Sequence, residues 1–132
     1  MKYLLDTNVC IKYLNQKSPT IIQKLESIDT KDIAVCSIVK AELFYGALKS
    51  NNPEKTLARQ QVFLNKFVSL VFDDNTALVY GKIRAFLAQA GTPIGSNDLQ
   101  IASIALANNL TLVTHNTKEF SRIDGLKIED WE

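Results

Sequence analysis

Several carboxylates in this chain sit where a surface residue has no need to be. Asp6 directly follows a short apolar run at residues 2–5. Glu42 lies inside a helical stretch, one step from Leu43, at the margin of a face carrying Val39, Leu43 and Gly46. Asp98 falls in the first turn of a small-residue helix, after the turn-rich Gly91-Thr92-Pro93-Ile94-Gly95. Asn116 and Glu119 follow another apolar run at residues 111–114. Each has an ordinary reading alone. Asp6 caps a helix, Glu42 is solvated, Asp98 answers a helix dipole, and Asn116 with Glu119 forms a capping box. Together they suggest more. Two unit charges ~5 Å apart repel by about 3 kcal/mol at an effective dielectric near 20, so a chain that gathers carboxylates at one edge needs a cation there. Oxygen ligands without Cys or His suit Mg²⁺ or Mn²⁺. Such an ion activates water and stabilises charge on a phosphoryl group, which is the chemistry of phosphodiester hydrolysis.

Other chemistries are poorly supplied. Cys10 and Cys36 form no C-x-x-C pair, and the single histidine, His115, cannot complete a zinc site with them. Both cysteines read as small buried apolar residues in a reducing compartment, and His115 as structural or incidental rather than a general base. Gly46-Ala47-Leu48-Lys49-Ser50 resembles a phosphate loop only superficially: the glycine before the lysine is missing and the segment ends a helix instead of opening one. Lys40, Lys49, Lys82, Arg84, Lys118 and Arg122 are available to phosphates but are expected mostly on solvated faces.

The elements that must position the acids are legible in outline. Strands are expected at residues 2–5, 33–36, 68–72, 111–114 and 127–129. Helices are expected at 9–15, from Pro19, from an N-capping Ser37 to about Lys49, from Pro53, from Asp74 or Asn75 to Gly91, and at 99–110 after Ser96 or Asn97. Strands alternating with helices predict a parallel sheet covered on both faces. In such sheets functional groups gather past the carboxyl ends of strands, where Asp6 and Asn116 fall. The alanines at 102, 105 and 107 suit a closely packed helix.

Composition sets the remaining bounds. The 132 residues, 46% hydrophobic and 22% charged, fit one globular domain. A net charge of +1 is not the footprint of a strongly basic nucleic-acid binder, so any RNA substrate must be held by local geometry and metal. No apolar run approaches the ~20 residues of a membrane span. The start lacks a signal peptide's apolar stretch, so a cytoplasmic address is expected.

Four segments in order resemble one family. They are Leu5-Asp6-Thr7-Asn8, Ala41-Glu42-Leu43-Phe44-Tyr45-Gly46-Ala47, Gly91 through Asp98, and Thr114-His115-Asn116 through Glu119-Phe120. With the ending Ile123 through Trp131 they resemble the PIN-domain toxins of the VapC type, across essentially the whole chain. The resemblance implies one PIN domain over residues 1–132, an α/β/α sandwich with a central, mainly parallel sheet. It implies the toxin of a type II toxin–antitoxin pair: a divalent-metal endoribonuclease, with Mg²⁺ the expected ion and Mn²⁺ a substitute, aimed at tRNA or another RNA of translation. It further implies a homodimer held inactive by a VapB-type antitoxin. Carried over by residue, Asp6 and Asp98 become metal ligands and Glu42 the third acid. Many relatives have Asp where this chain has Asn116, which makes Glu119 the candidate fourth acid. Two rivals stay open: a structure-specific DNA nuclease or phosphoesterase using the same acids, and a catalytically silent antitoxin-binding module, favoured by the loss of charge at Asn116.

Overall fold

The computed structural model describes residues 1–132. Five short strands, β1 (Tyr3–Leu5), β2 (Ile33–Cys36), β3 (Val68–Leu70), β4 (Thr111–Val113) and β5 (Lys127–Glu129), form one sheet of order β3-β2-β1-β4-β5. Every pairing is parallel, so the expected mainly parallel sheet is wholly parallel. Leu4, for example, lies opposite Ala34 on one side and Leu112 on the other. Strands this short are stable here because both faces are covered: Leu4, Leu5, Ile33, Ala34, Val35, Cys36, Leu112 and Val113 are fully buried.

The helices are α1 (Thr7–Leu14), α2 (Pro19–Ser27), α3 (Ser37–Leu48), α4 (Pro53–Leu64), α5 (Asp74–Gln89), α6 (Ser96–Ala107) and α7 (Thr117–Phe120). α1 packs with α2, α3 and α4, and α5 packs with α6. Right-handed crossovers that step outward from β1 to β3, then return to β4, put these two groups on opposite faces, giving the α/β/α sandwich. The Ala-rich α6 is the most deeply set helix, with Ile101, Ala102, Ile104 and Ala105 wholly buried. No helix is long and apolar enough to cross a membrane.

Most elements lie where the sequence put them, and the helix starts differ by one to three residues. Cys36, Asp73 and Gly95 occupy the cap positions instead of Ser37, Asp74 or Asn75, and Ser96 or Asn97. All three caps keep the extended backbone of the segment before the helix, with ψ of 163°, −177° and 145°. Gly91, at φ 74°, follows the end of α5 in the left-handed region that glycine tolerates. The core face of α3 carries Val39, Leu43 and Ala47; Gly46 is only half-buried.

Candidate active site

The strand order places β1 between β2 and β4, so successive crossovers leave β1 in opposite directions and a crevice opens past the carboxyl ends of β1 and β4. Asp6 and Thr114 are the residues that follow these two strands. Although 108 positions apart, they touch: the Thr114 hydroxyl donates to Asp6 Oδ2 at 2.8 Å. The other carboxylate oxygen, Oδ1, accepts from the Thr7 backbone N–H at 2.8 Å, so Asp6 is indeed the α1 cap. Capping and a chemical role are therefore compatible at this residue. Asp6 is only 6% exposed, and burial raises its pKa above the ordinary carboxylate value against the two hydrogen bonds. Glu42 and Glu119 raise it further, which puts both near Asp6.

Glu42 projects half-buried from the second turn of α3. Its Oε1 accepts from the Thr7 hydroxyl at 2.9 Å. Thr7 thus spans two acids, its backbone N–H on Asp6 and its hydroxyl on Glu42. Asp98 sits in the first turn of α6 and is held protonated up to about pH 7. Burial is the first cause, and the neighbouring Glu119, Asp6 and Glu42 carboxylates add to it. All four acids singled out from the sequence, Asp6, Glu42, Asp98 and Glu119, therefore share one field.

Asn116 and Glu119 do not form the expected capping box. Asn116 stands at the cap of α7 without a side-chain bond to the helix backbone. Its amide Nδ2 instead donates to Glu119 Oε2 at 3.2 Å, and its backbone N–H donates to Thr114 Oγ1 at 3.0 Å. The second Glu119 oxygen, Oε1, is buried without a hydrogen-bond partner from the chain's other polar groups. A buried carboxylate oxygen left so, among other carboxylates, fits a cation. Mg²⁺ is usually held by one or two carboxylates and keeps several waters, so this donor set is ample.

Other candidates are occupied elsewhere. His115 turns to the C-terminal tail, with Nδ1 at 3.0 Å from Asp130 Oδ2 and 3.2 Å from Glu132 Oε2; Lys12 also pairs with Glu132. These contacts tie the C-terminal tail to α1 and to the residue that follows Thr114. Cys10 and Cys36 are buried free thiols whose pKa values burial pushes up, so they are not reactive thiolates. Lys49 lies 4.6 Å over the Tyr45 ring, Arg84 lies 5.9 Å from the centre of Tyr80, and Arg122 donates to the Pro93 carbonyl at 3.2 Å. The residues the sequence reading did not single out are Thr7 and Thr114, which orient the acids. The signal was a threonine just past each central strand, Thr114 directly after β4 and Thr7 at the start of α1.

Comparison with known proteins agrees with this geometry. The family model described as PIN domain matches residues 3–126. A Rickettsia felis protein named ribonuclease VapC2 is 42% identical over all of this chain and 99% of its own length. A Salmonella typhimurium protein named tRNA(fMet)-specific endonuclease VapC is also 42% identical, over 99% of this chain and 98% of its own. Among solved structures, a chain of the crystal structure of DNA-bound VapBC from Salmonella typhimurium superposes with a TM-score of 0.94. It is 41% identical, covering 100% of this chain and 99% of that one.

Proposed function

The chain belongs to the PIN-domain family, and from that premise we propose that it is the toxin of a VapBC-type toxin–antitoxin pair, an endoribonuclease whose catalytic acids are Asp6, Glu42, Asp98 and Glu119. Activity requires a divalent metal ion, Mg²⁺ by preference with Mn²⁺ a substitute, and Asp6 and Asp98 are its ligands. The observation that carries this reading is the shared field of the four acids: burial, with three neighbouring carboxylates adding to it, keeps Asp98 protonated to about pH 7.

A bound divalent ion would supply Lewis-acid stabilisation of the charge that builds on the phosphoryl oxygens. The chain's own residues do the rest. Thr7 and Thr114 fix both oxygens of Asp6, leaving it one orientation. The Thr7 hydroxyl ties Glu42 to the same point. Asp98, which burial and its acidic neighbours raise to about 7, loses its proton near neutral pH and would then hold the ion, while Glu119, with Oε1 unpartnered, is placed to accept a hydrogen bond from an attacking water. Water is the nucleophile, and the RNA 2′-hydroxyl is not needed.

The substrate is RNA of the translation machinery, tRNA foremost, as the name of the Salmonella relative says of that protein. The partner is a VapB-type antitoxin, present with relatives in the VapBC structures. The residues form a single PIN domain that acts in the cytoplasm, where its RNA is. It works as a homodimer, which gives a use to the large apolar side chains left exposed, among them Tyr45, Leu48, Val62 and Phe86. The test is cleavage of end-labelled RNA and DNA of one sequence by the purified chain, with Mg²⁺ and with EDTA. RNA cut only with metal is the expected result. Preferential cutting of DNA would establish the DNA nuclease instead, and no cutting of either would leave a silent binding module.

A further inference from the structure

Asp98 and Glu119 come from two elements, the first turn of α6 and the short α7, so something must fix the spacing between them. α6 supplies little at its own start. α1, α2 and α5 begin under side-chain caps from Asp6, Ser18 and Asp73, whereas α6 begins at Gly95 with no side chain to cap it. The loop before α6 is held on the α5 side, where the Thr92 N–H donates to the Leu87 carbonyl at 3.0 Å, and by Ile94, half-buried against the core. Arg122 supplies the tie on the other side. Its backbone N–H donates to the Glu119 carbonyl at 3.2 Å, and its Nη1 donates to the Pro93 carbonyl, also at 3.2 Å. One residue therefore bonds both Glu119 and the loop that leads into Asp98. Its mount is firm, because Phe120 and Ile123 on either side of it are buried in the core. The Arg122 stem shares a cavity wall with Ile83, Phe86 and Leu87 of α5, while the residue itself stays exposed.

We infer that Arg122 is a positioning residue for the acid cluster: it holds the loop at residues 91–95 against α7, so that Asp98 and Glu119 keep the spacing a divalent ion needs. The inference rests on the ribonuclease reading for the reaction, and on the acid cluster alone for the metal. The chemistry of the bond suits a brace. A guanidinium keeps its charge at every working pH, and a charge-assisted hydrogen bond is stronger than a neutral one. Pro93 has a fixed φ, so a hold on its carbonyl constrains a stretch that is already short of freedom. Mg²⁺ demands near-ideal octahedral geometry at about 2.0–2.1 Å, so carboxylates that drift apart lose it. The alternative role for an exposed guanidinium is a contact to an RNA phosphate. The two roles separate in kinetics. A brace acts on the ion and on the rate, and a phosphate contact acts on RNA binding and its salt dependence.

Three full-length proteins test it: wild type, Arg122→Met, which keeps the stem and removes the donor, and Arg122→Lys, which restores a donor. Arg122→Gln, too short to span to Pro93, replaces Arg122→Met if that variant misfolds. Mn²⁺ binding is measured first, without RNA, from the EPR signal of the free ion. Arg122→Met should bind Mn²⁺ ~10-fold more weakly, the lower end of what losing an orienting contact behind a metal ligand costs, with Tm in EDTA close to wild type. At saturating RNA its kcat should fall with KM unchanged, and raised Mn²⁺ should restore part of the rate. Arg122→Lys should recover most of both losses. Equal Mn²⁺ affinity in wild type and Arg122→Met overturns the inference and leaves the ribonuclease standing. A raised KM and a shallower salt dependence, with kcat and Mn²⁺ affinity unchanged, overturn it too and make Arg122 a phosphate contact. Weaker Mn²⁺ binding by Arg122→Met, in a protein whose wild type cuts no RNA, would sustain the brace and sink the ribonuclease reading.

Discussion

Asp98 and Glu119 lie near enough for Glu119 to help burial raise the Asp98 pKa to about 7. The pair joins the start of α6 to α7, two elements separated by β4. Without metal, Asp98 keeps its proton up to about pH 7, and the consequences can be measured.

Stability without metal should fall as pH rises. The Asp98 pKa is about 7 in the fold against 3.8 as the ordinary value. Between these the folded chain keeps a proton that the unfolded chain has released, so its contribution is complete below pH ~4 and lost through pH ~7. Asp6, also raised, acts in the same direction. In EDTA, Tm should drop from pH 5 to pH 8, and Asp98→Asn should flatten that drop. Added Mg²⁺ should raise Tm more at pH 8 than at pH 5, because it takes the place of the proton. Thermal melts of both proteins across this range check it, and identical pH slopes would remove Asp98 from the account.

Thr114 orients Asp6 and should matter beyond its own chemistry. Thr114→Val keeps the shape but leaves Asp6 Oδ2 and the Asn116 N–H without their partner. The buried Asp6 oxygen so orphaned costs about 1–3 kcal/mol. We expect a lower Tm and at least a ~10-fold loss of cleavage rate, the lower end of what loss of a ligand-orienting contact costs. Thr114→Ser should keep both near wild type. Melts and initial rates on the pair separate orientation from packing.

The substitution of an amide for an acid at Asn116 shifts the burden to Glu119. Asn116 holds Glu119 Oε2, while Oε1 remains unpartnered. Glu119→Gln should therefore cost more activity than Asn116→Ala, with partial rescue by raised Mg²⁺ or Mn²⁺. Asn116→Asp should retain activity and tighten metal binding. Unchanged activity and metal titrations for Glu119→Gln would leave a centre of three acids, Asp6, Glu42 and Asp98.

Control should lie outside the chain. Expressed alone it should arrest growth, and co-expression of its cognate antitoxin should restore growth, with an antitoxin Arg pairing the carboxylates. Asp6→Asn should be harmless to the cell. Soluble, folded wild-type protein that leaves growth untouched would remove the toxin reading.

Much of this was readable from residues alone, for identifiable reasons. Wholly buried strands leave continuous apolar runs, so β1, β2 and β4 were visible in a chain where none exceeds four residues. Helix starts slipped because Ser, Asp and Asn serve equally at the cap and in the first turn, and only the extended backbone at Cys36, Asp73 and Gly95 separates the two. The acids were legible by type and by their position at element ends. Their convergence was not, because it depends on β4 lying beside β1, a pairing between residues more than a hundred positions apart. Gln60 left no trace, since a polar residue on an amphipathic helix reads as surface until its burial is seen.

The central claim is that one acid cluster with a divalent ion cuts RNA, and initial rates on a single end-labelled RNA test it most directly. Wild type and Asp98→Asn would be compared across a Mg²⁺ titration and in EDTA, with circular dichroism showing both folded. Wild type should show a saturating dependence on Mg²⁺ and no cleavage in EDTA. Asp98→Asn should be slower by about 100-fold or more at every Mg²⁺ concentration, the scale of losing one charge-stabilising group at a reacting centre. Cleavage by Asp98→Asn at the wild-type rate, or wild-type cleavage that persists in EDTA, would contradict the account.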